Sequence, residues 1–339
     1  MTTLRGRGAT FTWKALAWLA WLLPAPATAQ SAQPVAPSRP ERDLPPPARH
    51  RLYYSNLFAV RYNGIFEELR LSYRYRLMDS SHLLLRDTFL GLGVAPGLSP
   101  AFGRIGAFAE LQPITPLTLT AQYDAIRYFG TLRLLQSFPN AGSEFSDSEL
   151  RRLADEDKNY ASTGQLFTLG VLVQGKMANV VVRSNSRFVY ADMNLRTGDK
   201  VFYDIVYDLL APNQGWIVSS DNDLLYVTKF GSSGAAFTTG LRYTVAHAFY
   251  NDTQLAAGQE NLNSPTHRLG PFFGYTFFSR PSENSGGGPT THISNATVVL
   301  LTQWWLQHRY RTGQDTSQAV PYLAIALSVN GDLWSSGKP

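Results

Sequence analysis

Arginine recurs on alternate positions of the segment Leu69–Leu77. Arg70, Arg74 and Arg76 alternate there with leucine and tyrosine. Because side chains in a strand point to opposite faces in turn, one face of this segment is cationic and the other is apolar. A helix would spread both classes around its circumference. A row of guanidinium groups attracts anions. If the strands close into a barrel with a narrow lumen, the field of this row would be poorly screened there.

Further charged residues lie on the polar face of their own predicted strands. They are Asp124, Arg183, Arg187, Asp204, Asp208 and Arg242. In a wet lumen these side chains would tune ion selectivity, with a bias toward anions if the arginines cluster. The alternative is that they pair across a narrow, packed lumen and only satisfy one another.

A second candidate for chemistry is the stretch from His292 to Asn295. His292 and Ser294 lie two positions apart, so on a strand both would share one face and could meet across one pleat. A hydroxyl beside an imidazole is the arrangement of an activated nucleophile. An ordinary junction between a loop and a strand is the alternative interpretation.

These side chains need strands to position them, and the alternating unit recurs along most of the chain. Its copies predict an antiparallel sheet of about 12 strands, within a range of about 10 to 14. The predicted strands are Leu52–Tyr62, Phe66–Leu77, Leu83–Val94, Phe102–Gln112, Leu117–Ala125, Gln165–Gln174, Asn179–Tyr190, Val201–Leu210, Trp216–Phe230, Ala236–Tyr250, Leu269–Ser279, Ile293–Arg309 and Ala319–Asn330. The segment Trp216–Phe230 reads either as one long strand or as two short ones.

Two long polar insertions interrupt the strands. In Ser137–Ser162, Ser146 and Glu149 have the spacing of a capping box, which predicts a short helix through about Asp157. The carboxylates of this insertion are expected to form a solvated face, with a divalent-cation site as the alternative. The second insertion is Asn251–Thr266, and both are expected at the outer end of the sheet.

The ends of the chain have a different composition. Residues 1–29 read as a signal peptide, with basic residues before the apolar run Ala15–Leu23 and the small-residue pattern Ala27-Thr28-Ala29. Residues 30–50 are proline-rich and are expected to form a disordered periplasmic tail. Residues 51–334 are expected to contain all the strands and to close them into a barrel. A short tail follows at 335–339.

The composition of the chain excludes several classes of protein. Charged residues make up 16 % and aromatic residues 13 % of the chain, whereas soluble domains carry about 25 % charged residues. Without the three basic residues of the signal peptide, 27 basic residues remain against 25 acidic ones, which argues against binding to nucleic acid. With no cysteine in the chain, no cysteine-type zinc site is possible, and no other metal site or cofactor is expected.

The signal peptide, the missing cysteines and the alternating aromatic strands resemble bacterial outer-membrane β-barrel proteins over Arg51–Asn330. This resemblance implies an all-β, transmembrane β-barrel in the outer membrane, in contact with its lipids and assembled by the barrel-assembly machinery. The stretch from His292 resembles the His-x-Ser-Asn segment of outer-membrane lipid hydrolases, above all the lipid A deacylases. That resemblance implies Ser294 as the nucleophile and His292 as its base, with Asn295 steadying the oxyanion.

Three functions therefore remain open from the sequence. The first is a non-enzymatic pore or transport barrel for small solutes or ions, with a charged lumen. The second is a lipid hydrolase that uses Ser294 and His292. The third is a structural or surface-interaction barrel that acts through its external loops. We expect a non-enzymatic role, and a soluble β-sandwich is the alternative fold.

Overall fold

The computed structural model describes residues 47–62, 64–231, 234–256, 258, 261–279 and 288–337, with the backbone alone at 290–292. The predicted signal peptide lies outside the described residues, as does nearly all of the predicted proline-rich tail.

Twelve antiparallel strands form a closed barrel, in which β1 pairs with β15 to complete the ring. In chain order the strands are β1 (His50–Arg61), β2 (Gly64–Arg76), β3 (Phe89–Leu98), β4 (Phe102–Ile114), β5 (Leu117–Phe129), β6 (Ser137–Phe138), β7 (Ala161–Met177), β8 (Val180–Met193), β9 (Val201–Asp204), β10 (Leu209–Pro212), β11 (Gly215–Phe230), β12 (Ala235–Ala248), β13 (Thr266–Ser279), β14 (Gly288–Gln307) and β15 (Tyr322–Ser335). All except β6, β9 and β10 belong to the barrel. The prediction of an antiparallel barrel of about 12 strands is confirmed.

The two faces of the barrel wall differ as the alternation predicts. In β2, Arg70 and Arg74 point inward and are buried, whereas Tyr73 points outward and is exposed. Large apolar side chains project from the outer face, and Leu92 and Ile105 are 61 % and 63 % exposed. A closed ring of strands satisfies its own backbone hydrogen bonds, and an apolar exterior suits lipid. The chain is therefore a transmembrane β-barrel of the outer-membrane type.

The longer connections lie at one end of the barrel, opposite the end where β1 begins and β15 finishes. They follow β5, β8, β12 and β14 and comprise residues 130–160, 194–214, 249–265 and 308–321. Connections at the other end include the two-residue turns 115–116 and 178–179. Outer-membrane barrels carry long loops outside and short turns in the periplasm, so we call the first end the outer end.

The outer end is filled by a small folded unit, which we call the cap. It consists of residues 130–160 and 194–214, and includes the sheet of β6, β9 and β10 and one helix, α1 (Asp147–Asp155). Leu135, Phe202 and Leu210 are almost completely buried in the core of the cap. This core packs against inward-facing wall residues, among them Ile126 and Ile217, so the cap plugs the mouth of the barrel.

The prediction that Val201–Leu210 is a barrel strand was wrong. Its two ends form β9 and part of β10, which pair with each other, as Asp204 with Leu209, inside the cap. The alternating pattern arose because a hairpin packed in an apolar core selects the same aromatic and branched residues as a barrel strand. Trp216–Phe230 is one strand, within β11, so three barrel strands separate the first long loop from the turn after β11.

The helix predicted from the capping box is confirmed. Ser146 is the N-cap of α1, and its Oγ accepts a hydrogen bond of 3.2 Å from the backbone N–H of Glu149. The helix ends at Asp155, two residues before the predicted end. No helix among the described residues is long and apolar enough to cross a membrane.

Candidate functional site

The lumen wall carries a chain of ion pairs on β2 and β4. Glu110 accepts hydrogen bonds from both Arg74 (2.9 Å) and Arg70 (3.4 Å). Arg70 also donates to the side-chain oxygen of Gln122 (2.7 Å), which in turn donates to Asp124 (2.8 Å). Three predicted lumen residues, Arg70, Arg74 and Asp124, thus belong to one connected network.

Aromatic rings support the same guanidinium groups. The Arg74 guanidinium carbon lies 3.7 Å from the ring centre of Tyr53 and 4.4 Å from that of Phe89. Arg70 lies 3.9 Å from the ring centre of Phe108. Stacking on ring faces stabilises a desolvated cation and restricts its direction, so these two arginines are fixed within the wall.

A second network lies on β8, β11 and β12. The carboxylate of Asp223 accepts hydrogen bonds from Arg183 at 2.8 and 2.5 Å and from Arg242 at 2.7 and 3.0 Å. Its neighbour Asp221 accepts a bond of 2.6 Å from Thr244. Two predicted lumen arginines, Arg183 and Arg242, therefore share one buried carboxylate that the sequence analysis did not select.

The arginine content of the lumen exceeds its content of carboxylates. Among the residues that the structure describes, ten arginines lie on the inward face: Arg51, Arg61, Arg70, Arg74, Arg76, Arg104, Arg183, Arg187, Arg242 and Arg268. Six carboxylates lie on the same face: Glu68, Glu110, Asp124, Asp221, Asp223 and Asp332. Mutual pairing thus accounts for part of the charge, and an excess of positive charge remains.

Two cavities lie along the lumen at different heights. The smaller, of about 30 Å³, lies in the half near the chain ends and is bordered by Arg74, Glu110 and Arg183. The larger, of about 170 Å³, lies directly below the cap, and we call it the chamber. The cap forms its roof through Asp204, Val206 and Tyr207, and barrel strands form its walls.

The chamber is cationic and partly aromatic. Its lining holds five arginines, Arg61, Arg104, Arg187, Arg242 and Arg268, and three carboxylates, Glu68, Asp204 and Asp221.

Two of the chamber arginines form no ion pair within 4 Å with any carboxylate that the structure describes, although the charge of Arg61 acts on Asp204 across the chamber. Arg104 pairs with Glu68, whereas Arg61 and Arg268 make no ion pair with any residue that the structure describes. Arg268 instead stacks on Tyr322, 4.1 Å from the ring centre. A desolvated cation without a counter-ion favours an anion beside it, so the chamber has the chemistry of an anion site.

The structure corrects the predicted positions of two carboxylates. Asp204 and Asp208 belong to the cap and not to a barrel strand. Asp204 faces the chamber, and burial raises its pKa, although hydrogen bonds from the backbone N–H groups of Tyr207 and Val206 oppose that rise. Asp208 is buried within the cap, where Tyr203 donates a hydrogen bond of 2.8 Å to its carboxylate.

The remaining predicted lumen arginines occupy different heights. Arg76 lies near the chain-end rim, where it donates to the carbonyl of Pro47 (2.5 Å) and pairs with Asp79 (3.0 Å). Arg187 lines the chamber at mid-height of β8. Arg76 is therefore placed to act at the inner opening, and Arg187 is placed to act in the chamber.

The loop between β14 and β15 fastens the cap. Arg311 donates to Asp208 in the turn after β9 and, at 2.6 and 2.8 Å, to Asp147 at the start of α1. Arg309 donates to the carbonyls of Gly142 (2.8 Å) and Ser143 (3.0 Å). The predicted solvated acidic face of the first insertion is thus partly wrong, because Asp147 is held by an arginine of another loop.

His308 at the base of this loop is held as a neutral imidazole. Its Nε2 donates to the backbone carbonyl of Asp208 (2.7 Å), and its Nδ1 accepts from the backbone N–H groups of Tyr310 (3.0 Å) and Arg311 (3.2 Å). Burial lowers the pKa of His308, although the nearby charge of Asp208 opposes this effect. Protonation of Nδ1 would remove both of its acceptor bonds.

The proposed catalytic stretch lies on β14, in the half near the chain ends. Asn295 points into the lumen, is buried, and accepts a hydrogen bond of 2.9 Å from Thr297. A β-bulge falls between Ile293 and Asn295, beside Ser294. The side chain of His292 lies outside the described residues, so the pairing of Ser294 with His292 stays a prediction.

Several charged residues of the lumen were missed by sequence reasoning. Arg104 lies in the predicted strand Phe102–Gln112, and Asp223 lies within Trp216–Phe230, the segment that was read as either one strand or two. Arg61 and Arg268 lie at the outer ends of β1 and β13, at the margins of the predicted strands. The alternation of side chains could have identified these four residues, because each lies at a position of its strand that faces inward, and the alternation extends to the strand ends.

The described residues contain no group of three or more histidine, aspartate or glutamate side chains that could hold a metal ion. No family model matches the sequence, and no curated protein matches it significantly.

Comparison with solved structures finds barrels of the outer membrane. The KdgM porin has a TM-score of 0.35 and 6 % identity, over 82 % of this chain and 98 % of that one. OccAB1 of Acinetobacter baumannii has a TM-score of 0.32 and 12 % identity, over 79 % of this chain and 58 % of that one. OmpT, an outer membrane protein of Vibrio cholerae, has a TM-score of 0.28 and 7 % identity, over 83 % and 96 %. The fold assignment rests on the closed ring of strands itself.

Proposed function

We propose that this chain is an outer-membrane channel for small anionic solutes, closed at its outer end by the cap. The observation that carries the proposal is the chamber, whose lining holds five arginines against three carboxylates, and where Arg61 and Arg268 face the lumen without a close ion pair to any described residue. In a space of low dielectric constant, an unpaired guanidinium attracts an anion far more strongly than it would in water. The other lumen arginines would continue this field toward the inner opening.

The cap gives the channel a closed state. Passage of a solute requires the cap to move, because its apolar core packs against the barrel wall. The contacts of Arg311 and Arg309 hold it in place, and we infer that their release opens the channel. Loops that fold into a barrel and gate it are compatible with a rigid wall, since motion is confined to the loops.

The export of the chain and its insertion into the outer membrane are part of the same proposal. We infer that residues 1–29 direct export and are cleaved, that the barrel-assembly machinery inserts the chain, and that outer-membrane lipids surround it. The apolar outer face supports this placement. The selectivity roles of Arg70, Arg74, Arg76, Asp124, Arg183, Arg187 and Arg242 also remain proposals.

A flux experiment tests the selectivity. Proteoliposomes would be compared for uptake of gluconate, glucose and glucosamine, which have similar size and differ in charge. We expect gluconate to enter several-fold faster than glucose, and glucosamine to enter most slowly. The Arg61→Gln/Arg268→Gln double variant should lose most of that preference. Equal uptake of the three solutes by the wild type, or preference for glucosamine, would contradict the proposal.

A further inference from the structure

A groove of about 850 Å³ crosses the outer face of the barrel near its outer end. It is built from two neighbouring rows of outward-facing residues on β2, β3, β4, β5, β7 and β8. The row nearer the cap is Glu67, Leu98, Gly103, Arg127, Thr163 and Asn194, and the next row is Leu69, Pro96, Ile105, Ala125, Gln165 and Asp192.

The groove exists because small residues meet at its centre. Gly103 on β4 lies beside Arg127 on β5 in one row, and Ala125 lies beside Ile105 in the other. Leu98 and Ile105 project strongly on one side, at 60 % and 63 % exposure. The centre of the groove is therefore a depression with an apolar wall on the side of β3 and β4, whereas Thr163 and Gln165 border it on the side of β7.

Arg127 is the cation of this depression. It is exposed on the outer face, two residues before β5 ends, and it makes no hydrogen bond or ion pair with any residue that the structure describes. The other large outward side chains of β5 are Leu117, Leu119, Tyr123 and Phe129, so this position departs from an otherwise apolar face. A lone guanidinium at the edge of the hydrocarbon region needs an anion that reaches the same depth.

The carboxylates of the groove lie at its margins and not beside Arg127. Glu67 is three strands away and Asp192 two strands away, which corresponds to about 14 and 10 Å along the sheet. Both distances reach the Debye length, which is about 10 Å at 0.1 M salt. Each carboxylate also has an amide donor, Asn56 at 2.9 Å for Glu67 and Gln214 at 3.4 Å for Asp192.

We propose that this groove is a binding site for a phosphorylated lipid of the outer leaflet. Arg127 would bind the phosphate of the headgroup, since a guanidinium matches the geometry of phosphate oxygens. An acyl chain would lie over Ala125 and Gly103, against Leu98 and Ile105. Both parts follow from the order of the rows: Arg127 lies in the row nearer the outer end, where headgroups would be, and Ala125 and Ile105 lie in the row farther from that end.

Native mass spectrometry of the detergent-solubilised barrel tests the site. The probes are dimyristoyl phosphatidic acid and dimyristoyl glycerol, which share their acyl chains and differ only in the phosphate. We expect the wild type to bind the phosphatidic acid about tenfold more tightly, in keeping with hydrogen bonds to a charged group. Arg127→Gln should remove that difference, and Arg127→Lys should retain part of it.

Two further variants separate the site from general effects. Ala125→Leu fills the floor of the groove and should weaken binding of both lipids while leaving the charge unchanged. Arg151→Gln removes an exposed cation of α1, away from the groove, and should change nothing. A difference in gel mobility between the unheated and the boiled sample of each variant shows that its barrel is folded. Phosphatidic acid bound equally by the wild type and Arg127→Gln, or weakened equally by Arg151→Gln, would overturn the proposal whatever the channel conducts.

Discussion

Arg311 and Asp208 are joined by hydrogen bonds of 2.5 Å from Nε and 3.1 Å from Nη2, although 103 residues separate them in the chain. The same guanidinium binds Asp147 at the start of α1. One side chain of the β14–β15 loop thus connects two separate parts of the cap. Burial would raise the pKa of Asp208, but the charge that His308 carries when protonated, the charge of Arg311, and the hydrogen bonds from Arg311 and Tyr203 lower it to about 2.

Replacement of Arg311 should loosen the cap. Arg311→Gln leaves Asp208 buried without its cation, and loss of one partner of a buried pair costs about 3–5 kcal/mol. We expect chymotrypsin to cut the cap at least tenfold faster in this variant while the barrel stays intact. The control is Arg152→Gln, because the side chain of Arg152 is 54 % exposed in its pairs with Glu149 and Glu156. Equal cleavage of the two variants would contradict a role of Arg311 in fastening the cap.

The cap should also loosen in mild acid, through His308. Burial lowers the pKa of His308 from its ordinary value of 6.5, so the folded cap favours the neutral imidazole. The stability that this group contributes is present above pH 6.5 and is lost as the pH falls below it. Cap opening, followed by proteolysis, should rise by up to about tenfold per pH unit between pH 6.5 and the folded-state pKa, and should level off below that pKa.

Two variants test whether His308 causes the pH dependence of cap opening. His308→Gln should flatten the profile between pH 6.5 and 5, whereas substitution of the exposed His82 should leave it unchanged. Asp208 acts in a lower window, because its pKa is lowered: its contribution is present above its ordinary value of 3.8 and is lost as the pH falls toward 2. A profile that is the same with and without His308 would show that another group titrates.

The Asp223 network should be the most sensitive part of the lumen wall. Asp223→Ala leaves Arg183 and Arg242 without their shared carboxylate, so we expect unfolding in urea and detergent to become easier by about 3–5 kcal/mol. Asp192→Ala, on the outer face, is the matched control and should cost less than about 0.5 kcal/mol. A similar cost for both variants would mean that the inner network contributes little.

The wall of the barrel and the helix α1 were predictable from the sequence, whereas the β9–β10 hairpin of the cap was not. Strict alternation in β2 fixes which residues face lipid, because a shift of one residue would expose Arg70 and Arg74 to hydrocarbon. The β9–β10 hairpin has a similar alternation, but its partners lie on loops far away in sequence, and only tertiary packing separates it from a barrel strand. Trp304 and Trp305 lie on opposite faces of β14: Trp304 faces outward, whereas Trp305 is buried against His308 below the cap.

The outer face should tolerate no charge at mid-height. Leu92 is 61 % exposed near the middle of β3, so Leu92→Arg should lower the unfolding free energy in lipid bilayers by about 2–4 kcal/mol. Leu132, 65 % exposed in the loop after β5, provides the control, because Leu132→Arg should stay within about 0.5 kcal/mol of the wild type. Equal tolerance of arginine at both positions would contradict the placement of this face in lipid.

The sign of the reversal potential in a salt gradient tests the anion channel most directly. Planar bilayers would hold the Arg311→Gln barrel, with its cap loosened, between two KCl solutions of different concentration. The unpaired arginines of the chamber predict a reversal potential of the sign given by chloride permeation. This potential should move toward zero when Arg61→Gln and Arg268→Gln are added to the Arg311→Gln barrel. A potential of the opposite sign, or no conductance from a barrel whose cap is open to protease, would contradict the account.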